Sequence, residues 1–243
     1  MKSKMIRLQK ALSESGLLSK RKAASVISEG KVKVNGKLIY QKGFKIDPDK
    51  DTIELEGKIV SVKIPKIYFL LNKPQGVICT LKDNLGRKKI TDLLPKFPFK
   101  IFPVGRLDYN SEGLILITND GELANILTHP SYKIIKTYRV KIQGNLSPKE
   151  IKAIKNGIEI DKRKVILKSL RILKAAKNTW IEITLHEGRK HIIKRLFKKI
   201  YHPVMRLKRI QIGSLTAPEL KPGQFRQLYP KELNILKQLK YQL

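Results

Sequence analysis

The chain has 243 residues, 41% of them hydrophobic, which is enough for a packed core and excludes a globally disordered polypeptide. Lysine and arginine total 52 against 20 acidic residues, a formal net charge of +32. Self-repulsion of this size is tolerable in a chain that works against a polyanion, and nucleic acid is the usual one. No run approaches the ~18 consecutive apolar residues needed to cross a bilayer.

An anionic membrane surface is the alternative partner for such a charge, but the sequence shows neither an amphipathic anchor nor a lipidation motif. A proteome that favours lysine throughout would produce the same composition. The basic amino terminus leads into no apolar signal-peptide core, and the single cysteine, Cys79, excludes an internal disulfide, so a cytoplasmic protein is predicted. Because the charge disfavours self-association, we expect a monomer.

Residues 1–60 are predicted to form a small separate module of two helices and a hairpin. Apolar residues recur at helical spacing between residues 5 and 15. Ser19 is a good N-cap for a second helix, which Gly30 ends. Valines then alternate with lysines before Asn35 and Gly36, a strong signal for a tight turn between two strands.

The module is strongly basic, with twelve basic and two acidic residues among the first 45. Lys20, Arg21 and Lys22 lie at the start of the second helix, where cations oppose the positive end of the helix dipole. This placement is reasonable if the helix start faces phosphate, because free backbone N–H groups would also bind it. An ordinary solvated lysine face is the alternative.

Residues 61–66 are predicted to be a linker, and residues 67–243 a second domain. Apolar or alternating segments predict strands at 68–71, 114–117, 138–142 and 180–185. Helices are predicted at 121–128, 147–157 and 190–200. The predicted fold class is α+β, with the small N-terminal module followed by a mixed, mainly antiparallel β-sheet and flanking helices.

Motifs for nucleotide cofactors are absent from the sequence, which has no G-x-x-x-x-G-K-[ST] loop and no G-x-G-x-x-G after a predicted strand. The only metal-binding candidates are one cysteine and four histidines. His186 and His191 lie five residues apart across a predicted strand–helix junction, a poor geometry for a shared ligand site. We therefore predict no cofactor and no metal, and interpret the histidines as nucleic-acid contacts or packing residues.

The segment Gly105-Arg106-Leu107-Asp108 places a carboxylate shortly before the predicted strand at 114–117. In so basic a chain this carboxyl group is expected to be ionised. A carboxylate repels nucleic acid, so its presence needs a reason, and nucleophilic attack on a sugar or base carbon is one. An aspartate in a turn, paired with its neighbour Arg106, is the alternative that these four residues leave open.

Two further segments carry candidate site residues. Tyr138 lies on an alternating strand between basic residues, where its ring could stack on a base, although a core tyrosine is the alternative. Beyond Gly188, Lys190, Lys194 and Lys198 line one face of the predicted helix. Such a stripe is usually solvated, but the turn at the glycine can direct the first residues of the helix into a cleft.

Three segments of the first module occur in a distinctive order: residues 7–12 (RLQKAL), 19–24 (SKRKAA) and 30–36 (GKVKVNG). With them, the module resembles the S-four-like RNA-binding domain over about residues 4–50. The resemblance implies that the start of the second helix and the hairpin contact structured RNA. The RNA contacts assigned in this module are Arg7, Lys10, Ser19, Lys20, Arg21, Lys22, Lys33 and Asn35.

Five further sequence blocks follow one another along the chain. They are LNKP with a glycine at 71–76, GRLD at 105–108, GL and TNDG at 113–121, KTY at 136–138, and EGR at 187–189 leading to Lys194-Arg195. In this order, behind such a module, they make the chain similar to the RsuA-type family of ribosomal RNA pseudouridine synthases. Residues 127–130 (LTHP) and 207–209 (LKR) resemble its subgroup that acts on large-subunit rRNA.

The resemblance implies a role for particular residues. Asp108 matches the nucleophile, and Tyr138 matches the aromatic residue that stacks on the target base and assists the closing proton transfer. Lys194 matches the basic partner of the catalytic carboxylate, and Arg106 the arginine that helps to hold the target nucleotide out of its stack. The further RNA contacts assigned in this domain are Lys73, Arg189 and Lys190.

The chain departs from the family at two positions. Ile192 stands where glutamine is common, and Tyr201 stands where glycine often occurs. Both departures bear on substrate fit more than on chemistry.

The implied reaction breaks the bond between ribose and a base nitrogen, turns the uracil, and rejoins it through a ring carbon. No outside reagent is consumed, so the resemblance implies no cofactor. The target must leave its stack at a cost of a few kcal/mol, which binding energy offsets. The implied partner is ribosomal RNA or a ribosomal subunit precursor. Asp108 either attacks the sugar carbon or removes a sugar proton, and the sequence leaves both routes open.

Two other functions compete with this one. A non-catalytic rRNA-binding assembly factor explains the charge and the first module equally well. It does not explain why Asp108, Tyr138 and Lys194 occur together at the motif positions. A metal-dependent nuclease would need clustered carboxylates, and the sequence shows none.

Overall fold

The computed structural model describes residues 5–239, which form two compact units. The first unit comprises residues as far as Ile67 together with the short segments 96–101 and 119–121. The second comprises residues 68–95, 102–118 and those from Glu122 onward. Within residues 5–239, the helices are too short or too polar to cross a membrane.

The first unit packs two helices against short strands. The helices are α1 (Leu8–Glu14) and α2 (Lys20–Ser28), and the strands are β1 (Ile6–Arg7), β2 (Val32–Val34), β3 (Lys37–Leu38), β4 (Lys45–Ile46), β5 (Ile53–Leu55) and β6 (Lys58–Ile59). An antiparallel sheet has the order β3-β2-β5-β6, while β1 pairs with β4. The predicted helices and the hairpin are confirmed. The other strands are missed because two or three residues show no periodicity.

The first unit has a core of its own. Ser19 caps α2 by accepting a hydrogen bond from the backbone N–H of Lys22 at 3.2 Å, as its sequence position predicts. The apolar faces of both helices are buried against β2 and β5. The helix residues of this core are Leu8, Ala11, Leu12, Ala23, Val26 and Ile27.

The second unit is built on a mixed sheet. Its strands are β7 (Tyr68–Lys73), β8 (Phe102–Pro103), β9 (Glu112–Thr118), β10 (Lys136–Gln143), β13 (Ser169–Ala175), β14 (Asn178–Leu185), β15 (Val204–Ile212) and β16 (Phe225–Gln227), and a separate hairpin joins β11 (Ile158–Ile160) to β12 (Arg163–Val165). The strand order is β13-β14-β10-β15-β9-β7-β16, with β8 beside β9. Within residues 5–239, β15 and β9 are parallel and the other neighbours antiparallel.

Helices flank this sheet and divide its core into two clusters. They are α3 (Gly121–Thr128), α4 (Pro148–Asn156), α5 (Ile192–Lys199) and α6 (Pro230–Gln238). One cluster joins α5 to β10 and β14, and the other joins α3 and α6 to β7 and β9. The α+β prediction is confirmed, although the sequence patterns predict only the first three of these helices.

The two halves of the sheet meet where β9 runs beside β15. The register there pairs Gly113 with Arg209. Gly113 has a φ of +114°, and a Cβ at this position would lie 2.1 Å from the carbonyl oxygen of Arg209. The guanidinium of Arg209 also donates from Nε to the carbonyl of Leu114 at 2.7 Å. Glycine is therefore required for the strands to come this close.

We expect Gly113→Ala to lower the free energy of unfolding by more than about 2 kcal/mol, because the added methyl group strains φ and clashes with backbone atoms. Chemical denaturation measures this change. Gly121→Ala is the matched control, since its new methyl group meets nothing within 4 Å. It should shift stability by less than about 0.5 kcal/mol. Equal stability of the two variants would contradict the close approach of β9 and β15.

Candidate active site

The loop that carries Asp108 joins β8 to β9 and is fixed by hydrogen bonds. The backbone N–H of Ser111 donates to the carbonyl of Asp108 at 3.0 Å, which closes a turn. The N–H of Gly76 donates to the carbonyl of Tyr109 at 3.0 Å. The LNKP-x-G segment therefore holds the loop that bears the candidate nucleophile.

Lys73, the last residue of β7, also holds this loop. Its side chain has no exposed surface, and Nζ donates to the carbonyls of Pro74 and Ser111, both at 2.8 Å. Burial lowers the pKa of Lys73 from its ordinary value. The prediction that Lys73 contacts RNA is wrong, because its ammonium is enclosed and bonded to backbone carbonyls. Lys73 instead ties β7 to the Asp108 loop.

The carboxylate of Asp108 pairs with two residues near the start of α5. Lys194 Nζ lies 3.2 Å from Oδ2, and His191 Nε2 lies 3.3 Å from Oδ1. The opposite face of α5 is buried and fixes the helix against the sheet, so the position of Lys194 is determined by packing. The turn pairing with Arg106, the alternative from sequence, is not among the ion pairs of residues 5–239.

A cavity of about 620 Å³ opens beside this ion pair. Besides Asp108, its walls include four other residues that the sequence analysis assigns to the site: Arg106, Tyr138, Arg189 and Lys190. Tyr138 is 7% exposed and also belongs to the core, so the two sequence interpretations of this ring are compatible. Within the described part of the chain, no cluster of three or more histidine, cysteine or acidic side chains could hold a metal ion.

Arg189 is largely engaged within the protein. Its guanidinium donates to the carboxylate of Glu187 and, from Nη1, to the carbonyl of Ile160 at 2.9 Å. These bonds hold the segment that precedes α5, whereas the neighbouring Lys190 is exposed at the cavity.

Two cations that lie beside Tyr138 at the cavity are not predicted as site residues from the sequence. Lys136 lies two residues before Tyr138 on β10, and Arg209 is the cross-strand partner of Tyr138 on β15. Burial lowers the pKa of Lys136 to about 8, and the positive charge of Arg209 contributes to the shift. Arg209 is 3% exposed, and its Nη2 has no hydrogen-bond partner among residues 5–239. Strand alternation would have placed Lys136 beside Tyr138, since both lie on one face.

The residues assigned to RNA contact in the first unit lie on its surface. Most are exposed, while Lys10 is half-buried. Three of them also have structural partners. Lys10 lies 3.9 Å from the carboxylate of Glu14, and the side chain of Asn35 bonds to Asp51 and to the backbone N–H of Thr52. Ser19 serves as the cap of α2. None of the eight lines the cavity of the second unit.

Sequence models of known families match both units. The RNA pseudouridylate synthase model matches residues 67–199, and the S4 domain model matches residues 6–53. The chain belongs to the RNA pseudouridylate synthase family. The resemblance predicted from its motifs is thereby confirmed, as is the S-four-like nature of the first module.

Relatives match this synthase over nearly its full length. The chain is 43% identical to ribosomal large subunit pseudouridine synthase B of Bacillus subtilis, over 97% of each chain. It is 45% identical to an uncharacterised RNA pseudouridine synthase of Aquifex aeolicus, over 94% of this chain and 92% of the other. A crystal structure of a pseudouridylate synthase aligns with a TM-score of 0.66 at 29% identity, covering 95% of this chain and 99% of that one.

The two departures from the family pattern lie in different places in this synthase. Ile192 is buried and borders the cavity. Tyr201 follows α5 with a φ of +63° and is 91% exposed. The frequent glycine of the family suits this left-handed backbone, which a tyrosine adopts at a cost of roughly 1–2 kcal/mol.

The Cys79 thiol reports on the packing of the Asp108 loop. Cys79 Sγ accepts a hydrogen bond from the backbone N–H of Leu107 at 3.3 Å. Burial raises the pKa of the thiol, so little thiolate is present at neutral pH.

We expect iodoacetamide to alkylate Cys79 at least about tenfold more slowly in the folded protein than in urea at pH 7.5, because thiolate is the reacting form. Mass spectrometry follows the reaction, and the chain has no other cysteine to interfere. Equal rates in the two conditions would contradict the burial of this side chain.

Proposed function

We propose that the protein converts a uridine of large-subunit ribosomal RNA to pseudouridine, with Asp108 as nucleophile. The observation that carries the proposal is the Lys194–Asp108 ion pair at 3.2 Å, at the edge of a cavity that Tyr138 also lines. The Bacillus subtilis relative, named for the large ribosomal subunit, supports the choice of RNA. Ribosomal RNA, free or in a subunit precursor, is the proposed partner, and the cytoplasm the proposed compartment.

The residues divide the work as follows. Lys194 holds the carboxylate of Asp108 by an ion pair and orients it at the edge of the cavity. Tyr138 offers a ring on which the flipped uracil stacks. Arg106 and Lys190, both exposed at the cavity, bind phosphates beside the flipped nucleotide.

The chemistry needs no cofactor, because every atom of the product comes from the substrate. Asp108 attacks C1′ of the ribose or removes the proton from C2′, and either step releases the base. The base turns, C5 bonds to C1′, and the C5 proton is replaced by one on N1. Asp108 is regenerated as a carboxylate, either by leaving C1′ as C5 bonds to it or by returning the proton to C2′.

We expect Asp108→Asn to abolish the formation of one pseudouridine in rRNA, because the amide of asparagine is neither a nucleophile nor a base at neutral pH. Carbodiimide-based mapping of both large rRNAs in cells that lack the protein, complemented with each variant, measures the loss. In vitro, the single-turnover rate should fall at least about 10³-fold. RNA affinity should be unchanged or higher, since one negative charge is removed.

Asp161→Asn is the matched control. Asp161 is an exposed acid that pairs with Arg195 outside the cavity, so the same change should leave the modification intact. Full activity of Asp108→Asn would reject the assigned nucleophile. If the wild type restores no modification on any rRNA, the non-catalytic assembly factor becomes the better explanation.

We further infer that the basic start of α2 binds phosphate. Replacing Lys20, Arg21 and Lys22 with glutamine should weaken rRNA binding and lower the salt slope of log affinity by about 2, or about 0.7–0.9 for each lost phosphate contact. Filter binding at several salt concentrations measures both. The control variant replaces three exposed lysines of the second unit, Lys168, Lys174 and Lys177, with glutamine. An equal effect of both triple variants would show that only total charge matters.

A further inference from the structure

Among residues 5–239, two cations of the cavity wall have no anionic partner: Arg209, which is buried, and Lys136, which is half-buried. Arg209 is almost fully buried, and its Nη2 has no partner. The Lys136 ammonium has one hydrogen bond, a long one of 3.3 Å to the carbonyl of Ile134. Two neighbouring positive charges in a desolvated site are unfavourable unless something offsets them. This arrangement indicates that the offset comes from a bound group.

The carboxylates of the cavity wall are already in use. Each has its own cation, in the pairs Asp83–Arg87, Asp108–Lys194 with His191, and Glu187–Arg189. The other charges on the wall are the cations Lys82, Arg106 and Lys190. No acid therefore remains on this wall for Lys136 or Arg209.

Their place on the sheet points to the base rather than the ribose. Lys136 and Tyr138 share one face of β10, and Arg209 is paired with Tyr138 across the β10–β15 ladder. A uracil that stacks on Tyr138 consequently lies next to Lys136 and to Arg209, whose Nη2 has no acceptor among residues 5–239.

The proposed reaction creates an anion at that place. When the C1′–N1 bond breaks, its electron pair stays on N1, and the negative charge spreads over the ring to O2 and O4. Asp108 loses its charge in the same step, by bonding to C1′ or by taking the C2′ proton. By either route, one negative charge moves from Asp108 to the base, and it returns when C5 bonds to C1′.

We propose that Lys136 and Arg209 bind the uracil anion through its carbonyl oxygens and hold it while it turns. This inference rests on the proposed function. Lys136 and Arg209 have no anionic partner while the negative charge is on Asp108. They gain one when that charge has passed to the base. They therefore stabilise the transition state more than the bound substrate, which raises the rate without tightening RNA binding.

The test compares Lys136→Met, Lys136→Arg and wild type in single-turnover reactions on an rRNA fragment that the wild type modifies. Lys136→Met should lower the rate about 10²-fold, as loss of one preorganised donor does, and leave RNA affinity within about twofold. Lys136→Arg, which keeps the charge, should restore most of the rate. Lys141→Met on the opposite face of β10 is the matched control and should behave as wild type.

The pH profile provides a second readout. Since the pKa of Lys136 is lowered to about 8, its ammonium is present below that pH and lost as pH rises through it. The kcat/KM of the wild type should therefore fall above about pH 8, and this limb should move to higher pH in Lys136→Arg. Removing a buried charge should not reduce stability, so Lys136→Met should unfold at the same or higher denaturant concentration at pH 7.

Each contrary result has a distinct meaning. Weaker RNA binding with an unchanged rate in Lys136→Met would overturn the inference in favour of a phosphate site. An unchanged rate and affinity would show that the cations have no part in the reaction. If the fall of kcat/KM above about pH 8 does not move in Lys136→Arg, Lys136 is not the group that titrates. The slow rate of Lys136→Met would then be due to structural damage, and the inference would be overturned. A wild type that forms no pseudouridine would reject the proposed function itself, whereas an active wild type confines the failure to this inference.

Discussion

The buried ammonium of Lys73 is the interaction on which the geometry of the site depends. Its two hydrogen bonds join the end of β7 to the carbonyl of Ser111, and Ser111 closes the turn that begins at Asp108. Desolvating a lysine is costly, and the lowered pKa records that cost. These bonds fix the loop against the sheet and thereby position the carboxylate of Asp108. Its ion pair with Lys194 of α5 forms in this fixed position.

The charges of the cavity follow from this fixed point. The carboxylate of Asp108 contacts Lys194 and His191, whereas Lys136 and Arg209 on the same cavity wall have no anionic partner among residues 5–239. The exposed cations Lys82, Arg106 and Lys190 also lie on this cavity wall. Under the proposed function, the exposed cations bind phosphate, and the more buried Lys136 and Arg209 respond to charge that develops during the reaction.

The sequence predicts those parts of this molecule that local chemistry determines. The cap at Ser19, the turn at Gly36 and the helix that carries Lys194 all appear where expected. The motif resemblance predicts that Asp108, Tyr138 and Lys194 belong to one site, and the structure places them close together. The sequence does not show which charged residues are buried. Lys73 is predicted to contact RNA because it is a lysine in a motif, but its side chain is enclosed. The pairing of His191 with Asp108 and the burial of Arg209 depend on tertiary packing. Residue spacing along the sequence does not predict either.

The parallel contact at Gly113 also bears on the order in which the protein folds. Arg209 and Leu114, which it joins, are 95 residues apart in the chain, so closing that seam costs far more loop entropy than forming any hairpin of the sheet. β16 and α6 complete the β7 half later still in the chain. During synthesis, the Asp108 loop is therefore made long before the strand that carries Arg209. A ribosome-bound fragment that ends before β15 would lack Arg209 and its share of the cavity wall, so the cavity is complete only after β15 has been synthesised.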